Sequence, residues 1–489
     1  MKISASALGR TCNRRLAWLA GAITMLILSA NATTLHAQEP RQCLLEFEAR
    51  GSVAPRTNAI KLPSERYNVF QGGGVTYHCQ GQGNSLSADS AEYYGDESVL
   101  LMIGNVRYSE TRAKVDSDRM MYYQLEDRLH ADGNVNVRLQ SGTTMKGPAV
   151  DYFRVTATRP LARTVATGRP RMSLVPSQAT AGRSDPVDVV ANTIVAEGDN
   201  LVYASGVVEI TRPDVIAKGD SAFLDGQREF ARLMREPSVE SRRDRPFTLR
   251  GGVIDLYSRN KKLERVVATP SGHALSQDLE LVADSVDLRI RDDQLERVMA
   301  WGKTSRARAL SPDREIIADS IDARMPGQRL REVRAVGGAY ANSAPDSLRI
   351  ASTERDWMRG NSILAEFDSI APGDTTSRPR ARRIHADGDA SSYYQIATNE
   401  QGRNLPNINY VRGREITVLF DGRLVSTVDV VDRASGVYLE PTTASPPGSA
   451  PAAAPAAGIP GRVTPPTGTR RPPAPAAPPA SGQPRRDSR

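Results

Sequence analysis

Leu129-His130-Ala131-Asp132-Gly133-Asn134-Val135-Asn136-Val137 alternates without a break. Leu129, Ala131, Gly133, Val135 and Val137 fall on one face, and His130, Asp132, Asn134 and Asn136 fall on the other. A strict period of two marks a β-strand with one face buried and one face in water. The same split recurs at Val202, Ala204, Gly206, Val208 and Ile210, and at Leu100, Met102, Gly104, Val106 and Tyr108. Ile384, Ala386, Gly388 and Ala390 repeat it more weakly.

The small-residue pair inside these strands is itself a repeat. Clear copies are Ala131-Asp132-Gly133, Ala166-Thr167-Gly168, Ala204-Ser205-Gly206, Ala300-Trp301-Gly302, Ala335-Val336-Gly337, Ala386-Asp387-Gly388 and Ala434-Ser435-Gly436. Weaker ones are Met102-Ile103-Gly104, Arg235-Glu236-Pro237 and Ala268-Thr269-Pro270. Successive copies lie 29 to 51 residues apart, mostly 29 to 38. A repeat of that length implies a stack in which each unit buries its apolar face against its neighbours. Between the copies runs a second kind of strand, often opened by Asp-Ser, as at Asp89-Ser90, Asp116-Ser117, Asp220-Ser221, Asp284-Ser285 and Asp319-Ser320. Turn signals separate the two kinds: Glu126-Asp127, Asp225-Gly226, Asp292-Asp293, Pro326-Gly327 and Asp421-Gly422. No stretch carries sustained helical periodicity, so the class is all-β, an elongated fold built from repeats.

Glycine inside a strand marks a bulge, a bend or a close backbone approach. Read as part of the apolar face, a column of Ala and Gly leaves two outcomes open. One is a corner in a solenoid. The other is a groove wide enough for a lipid chain, lined by Leu100, Met102, Val106, Tyr108, Leu129, Val135, Val137, Val202, Val208 and Ile210. On that reading Val135→Asp blocks lipid loading, whereas the outward change Asn134→Asp is tolerated.

A strand opening Ala88-Asp89-Ser90-Ala91-Glu92-Tyr93, followed by Gly104-Asn105-Val106, resembles the repeat of the OstA-like family of lipopolysaccharide-transport proteins (LptA, LptC and the N-terminal domain of LptD). Val115–Tyr123 leading to Gly133-Asn134-Val135 is the second good match. The resemblance is strong over about residues 86–155 and fades towards Glu440. It implies a twisted, partly open β-jellyroll whose V-shaped interior holds acyl chains. It also implies a periplasmic bridge for lipopolysaccharide or a related glycolipid, bound to other bridge components or to further copies of itself, head to tail, by edge-strand pairing. Two features depart from the pattern. The repeats outnumber those of a single bridge protein, so the expectation is either a longer jellyroll or two fused ones, at 38–245 and 246–441. A tail of Pro, Ala, Gly, Ser and Thr over 442–489 stands where an outer-membrane barrel would follow.

Residues 1–37 read as a secretory signal peptide: Lys2, Arg10, Arg14 and Arg15 precede an apolar stretch from Leu16 to Leu28 and small-residue sites at Ala30-Asn31-Ala32 and Leu35-His36-Ala37. The expected compartment is therefore the periplasm, with the segment cleaved or, as the alternative, kept as an inner-membrane anchor. The tail is too poor in apolar residues to offset its ordering entropy, and the expectation is an extended, disordered segment. Of the formal net charge of +8, the signal-like segment carries +4 and the tail +5, which leaves −1 for the middle. A nucleic-acid binder carries its positive charge on the folded surface, so that class of partner is discounted. Cys12 lies in the signal-like segment; Cys43 and Cys79 form an even pair in an exported chain, which suggests a disulfide, with two buried free thiols as the alternative.

The residues give no support for an enzyme, a cofactor or a metal site. His130 and His385 sit at equivalent places in His-Ala-Asp-Gly and read as repeat decoration on the outer face. Gly72-Gly73-Gly74 lacks the Lys-Ser/Thr of a phosphate loop. Trp301 and Trp357 are expected to pack against the sheet. The second function class is a non-catalytic β-solenoid scaffold. A parallel β-helix has shorter coils of ~20–25 residues, below the intervals found here.

Overall fold

The computed structural model describes residues 43–49, 56–175, 186–241, 246–260, 262–276, 279–368, 379–398, 402–422 and 424–441. The signal-like segment with Cys12, and the tail at 442–489, lie outside the described residues. What is described is all-β. Its 32 strands form one hydrogen-bonded sheet, and the single helical element is a short 3₁₀ turn at Pro326–Gln328. Every strand-to-strand ladder is antiparallel; one isolated parallel bridge joins Ile350 and Asn404.

The decisive strand, Arg128–Leu139, explains the architecture. It pairs with Ala113–Tyr123 from Tyr123↔Arg128 to Arg119↔Asp132, skips Gly133 to Val135, and resumes at Asp116↔Asn136. Gly133 and Asn134 are both left-handed, at φ 77° and 48°. Two such residues bend the strand and leave its alternation in step, so Leu129 and Ala131 before the bend and Val135 and Val137 after it are all buried. The same two-residue corner occurs at Gly104-Asn105, Gly206-Val207, Gly337-Gly338 and Gly388-Asp389.

Because the long strands bend at their middles, the sheet folds along the line of corners into two facing ladders. One contains the first half of Arg128–Leu139 and the second halves of Ala113–Tyr123 and Thr144–Phe153; the other contains the remaining halves. From residue 163 to 318 the corners break several strands outright. Arg163–Thr167 and Arg171–Leu174 flank Gly168-Arg169-Pro170, and Phe230–Met234 and Ser238–Ser241 flank Arg235-Glu236-Pro237. Proline has no N–H for the ladder, so pairing stops there and restarts on the other side. Long bent strands return at Glu332–Ser343, Asp356–Phe367, Ala381–Ile396 and Asn407–Asp421.

Both ladders pass the position of the expected 245/246 boundary: Phe230–Met234 pairs with Val253–Arg259, and Ser238–Ser241 pairs with Phe247–Arg250. The apolar faces of the two ladders meet in one core cluster that runs from Cys43 to Val418. Turns fall where the sequence signals them: Asp127, Asp292, Asp293, Gly327 and Gly422 all take positive φ. Two of the clear copies lack a left-handed glycine: Gly302, where the strand Gln294–Trp301 ends, and Gly436 in Ala434-Ser435-Gly436. Gly436 lies inside the edge strand Ser435–Leu439 opposite Val411, and the left-handed pair is Asp432-Arg433. The motif is present there, but the chain has already turned two residues earlier.

Candidate functional site

The space between the two ladders is the candidate site. All ten residues expected to line it do face it, and none is more than 6 % exposed. Seven belong to Val99–Ser109 and Arg128–Leu139, and three to Leu201–Thr211. They are brought together with inward residues of the intervening strands, notably Met120, Tyr122, Met145, Tyr152, Met172 and Ile194. The interior is therefore filled by protein side chains in this structure. An acyl chain can occupy it only if the two ladders separate and those side chains change partners.

The glycines do not widen this space. A β-carbon on Gly104 would lie 2.5 Å from Asp89 Oδ2, and one on Gly133 would lie 2.6 Å from Asp118 Oδ2. Both carboxylates also accept from the corner asparagine: Asn105 Nδ2 donates to Asp89 at 2.8 Å and Asn134 Nδ2 donates to Asp118 at 2.7 Å. The reading of Gly as part of the apolar face is thus corrected. At the corner the left-handed backbone turns the glycine towards an acidic side chain on the neighbouring strand. Asn192 and Asn361 occupy the same place over Gly206 and Gly388. Asn134→Asp, expected to be tolerated, would face one carboxylate with another.

On the side away from the corners, the hairpin turns of the two ladders form two lips. Arg154, just after Thr144–Phe153, joins them. Its Nη1 donates to Asp127 Oδ1 at 3.1 Å and to the Tyr122 hydroxyl at 3.4 Å, within its own ladder. Its Nη2 donates to Gln82 Oε1 at 2.8 Å and its Nε to Glu110 Oε2 at 3.3 Å, both in turns of the other ladder. Glu110 also accepts from the hydroxyls of Tyr108, at 2.7 Å, and Tyr152. Nearby, Gln124 Nε2 donates to the Cys43 carbonyl at 3.1 Å, and Cys43 is disulfide-bonded to Cys79 with a Cα separation of 4.9 Å.

Arg154 is 12 % exposed and its carboxylate partners 14 % and 15 %. Burial pushes the Tyr108, Tyr122 and Tyr152 hydroxyls well above the ordinary tyrosine range, so all three act as donors. Burial opposes the charge on Arg154, while the Glu110 and Asp127 carboxylates favour it. The sequence reading missed this cluster. Glu110 lies 44 residues from Arg154 and Gln82 lies 72, and neither pairing has a local pattern.

The remaining singled-out residues lie on the outside. His130 Nδ1 sits 3.0 Å from Asp151, which also pairs with Arg128, and His385 Nδ1 sits 2.9 Å from Thr417 Oγ1. Trp357 packs between Tyr340, Tyr393 and Tyr410 with Arg359 over its ring, and Trp301 is partly exposed. Gly72-Gly73-Gly74 is a corner within Tyr67–Cys79. Among the described residues, no three His, Cys, Asp or Glu side chains are grouped so as to hold a metal ion. A scan against protein-family models and a search of curated proteins return no match to this chain.

Proposed function

We propose that this protein is a non-enzymatic, periplasmic carrier of lipopolysaccharide or a related glycolipid, of the OstA-like kind, with the acyl chains held between its two ladders. The observation that supports this most is the continuous apolar interior, hinged along one side by the corners and closed on the other by polar lips. Each CH₂ kept from water is worth ~0.8 kcal/mol, so exposing a ~12-carbon chain costs on the order of 10 kcal/mol. A carrier crossing water has to cover that length continuously, and stacked identical strands do so without one defined pocket. The ends of the ladders favour strand-addition partners, whether other bridge components or further copies of this chain. Arg56–Lys61 is fully exposed and pairs only with Tyr67–Cys79 among the described strands. At the other end Ser435–Leu439 is exposed throughout and pairs only with Asn407–Asp421.

The filled interior favours a second reading, a structural solenoid whose core never admits a ligand. Photo-crosslinking separates the two. A diazirine residue at position 135, inside, is expected to label with lipopolysaccharide, and one at position 134, outside, is not. Equal labelling from both, or none from either in well-folded protein, overturns the carrier reading. Native mass spectrometry of protein from the periplasm, searched for co-purified lipid, is an independent check.

A further inference from the structure

We propose that Arg154 is the clasp of a mouth through which an acyl chain reaches the interior, and that its release from Glu110 and Gln82 lets the two ladders part. The inference rests on the carrier reading and adds to it where the interior opens and what keeps it shut. Three observations carry it.

The first is placement. Separating the ladders about their corners breaks no strand pairing near the mouth, since each half-strand keeps its neighbours on either side. Besides apolar contacts between the two faces, what breaks is the set of bonds between lips: Arg154 to Glu110, to Gln82 and to Cys79 Sγ, Tyr152 to Glu110 and Gln124 to the Cys43 carbonyl. The second is chemistry. These contacts are polar, and water can replace them once the lips move apart, whereas an apolar seam would resist opening. Glu110 is the hub, since donors from both ladders converge on it. The third is what lies behind. Tyr108 and Tyr152 reach Glu110 with their hydroxyls while their rings, 6.2 Å apart, belong to the buried core beside Leu129. Outer-face ion pairs are different: Arg232 and Asp255 join adjacent strands of one ladder, and Arg232 is 46 % exposed.

The test uses the full chain as Arg154→Met and Glu110→Gln, with Arg154→Lys as the charge-keeping control. Amide hydrogen exchange reads the lips at residues 109–112 and 123–127, and a fluorescent ~12-carbon fatty acid reads uptake. Both charge-removing variants are expected to exchange and take up the probe roughly 10-fold faster, the scale of one lost charged hydrogen bond. Protection of Lys262–Thr269, far along the ladder, should stay unchanged, and Arg154→Lys, which keeps the charge, should move both readouts less than Arg154→Met. Unchanged lip exchange and uptake in folded charge-removing variants overturn the clasp. Protection lost along the whole ladder overturns it too, since Arg154 would then be holding the fold as a whole. Faster lip exchange with no probe bound by any form, wild type included, would overturn the carrier reading instead.

Discussion

The side-chain amide of Asn134 donates to the Asp118 carboxylate at 2.7 Å, and that carboxylate lies over the α-carbon of Gly133. Two recurrent motifs, Gly-Asn in one strand and an aspartate in the strand before it, are thus the two halves of one corner. Gly133→Ala should cost about 1–3 kcal/mol in denaturant unfolding, because its φ of 77° is unfavourable for an L side chain and the new methyl meets Asp118. Gly72→Ala is the control, as a β-carbon there meets nothing within 4 Å, and its midpoint should barely move.

Asn134→Asp replaces the donor with a second acceptor. Both side chains are exposed, so the repulsion is screened, and the expected loss at neutral pH is ~1 kcal/mol or less. Its signature is recovery. Stability should return in high salt. A loss that salt does not relieve would mean that the cost arises elsewhere.

The Cys43–Cys79 bond closes a loop with a sequence separation of 36, a constraint worth roughly 3–4 kcal/mol in the chain-entropy account. Protein lacking residues 1–37 should yield no alkylated thiol when denatured without reductant. It should lose midpoint in denaturant once reduced. Two labelled thiols before reduction would contradict the bond.

Asp356 supplies a pH dependence of known sign. Burial pushes its carboxyl up to about 6, against the pull of two hydrogen bonds from Gln395. Between the ordinary carboxylate value and about 6, the folded chain holds a proton that the unfolded chain has released. This contribution to stability therefore falls as pH rises through that window and is fully lost above it, on the order of 3 kcal/mol in all. Asp356→Asn should flatten the slope between pH 4 and 6 and raise the melting temperature at pH 7. An unchanged slope would show that the carboxyl titrates normally.

The alternation at Leu129, Ala131, Val135 and Val137 carried the class, the interior face and the position of each bend, because a half-buried strand writes its burial into every second residue. It could not say which way Gly133 faces, since two left-handed residues preserve the alternation on both sides while turning the glycine outward. Gly436 shows the converse: the same letters sit in an edge strand when the chain has already turned at Asp432-Arg433. The lips were illegible for another reason. Arg154, Glu110 and Gln82 meet only because three separate hairpins end at one place, and a single sequence does not record which turns are brought together.

Nearly every strand here pairs with partners only one to three strands away along the chain. Its length is therefore a countable quantity. A duplication that inserts two bent strands with their corners adds about 10 Å of ladder, and the strands on either side keep their register, their corners and their inward faces. Such a molecule can be re-measured by gene duplication alone, much as a tape is lengthened by splicing, with no new fold to discover at the join.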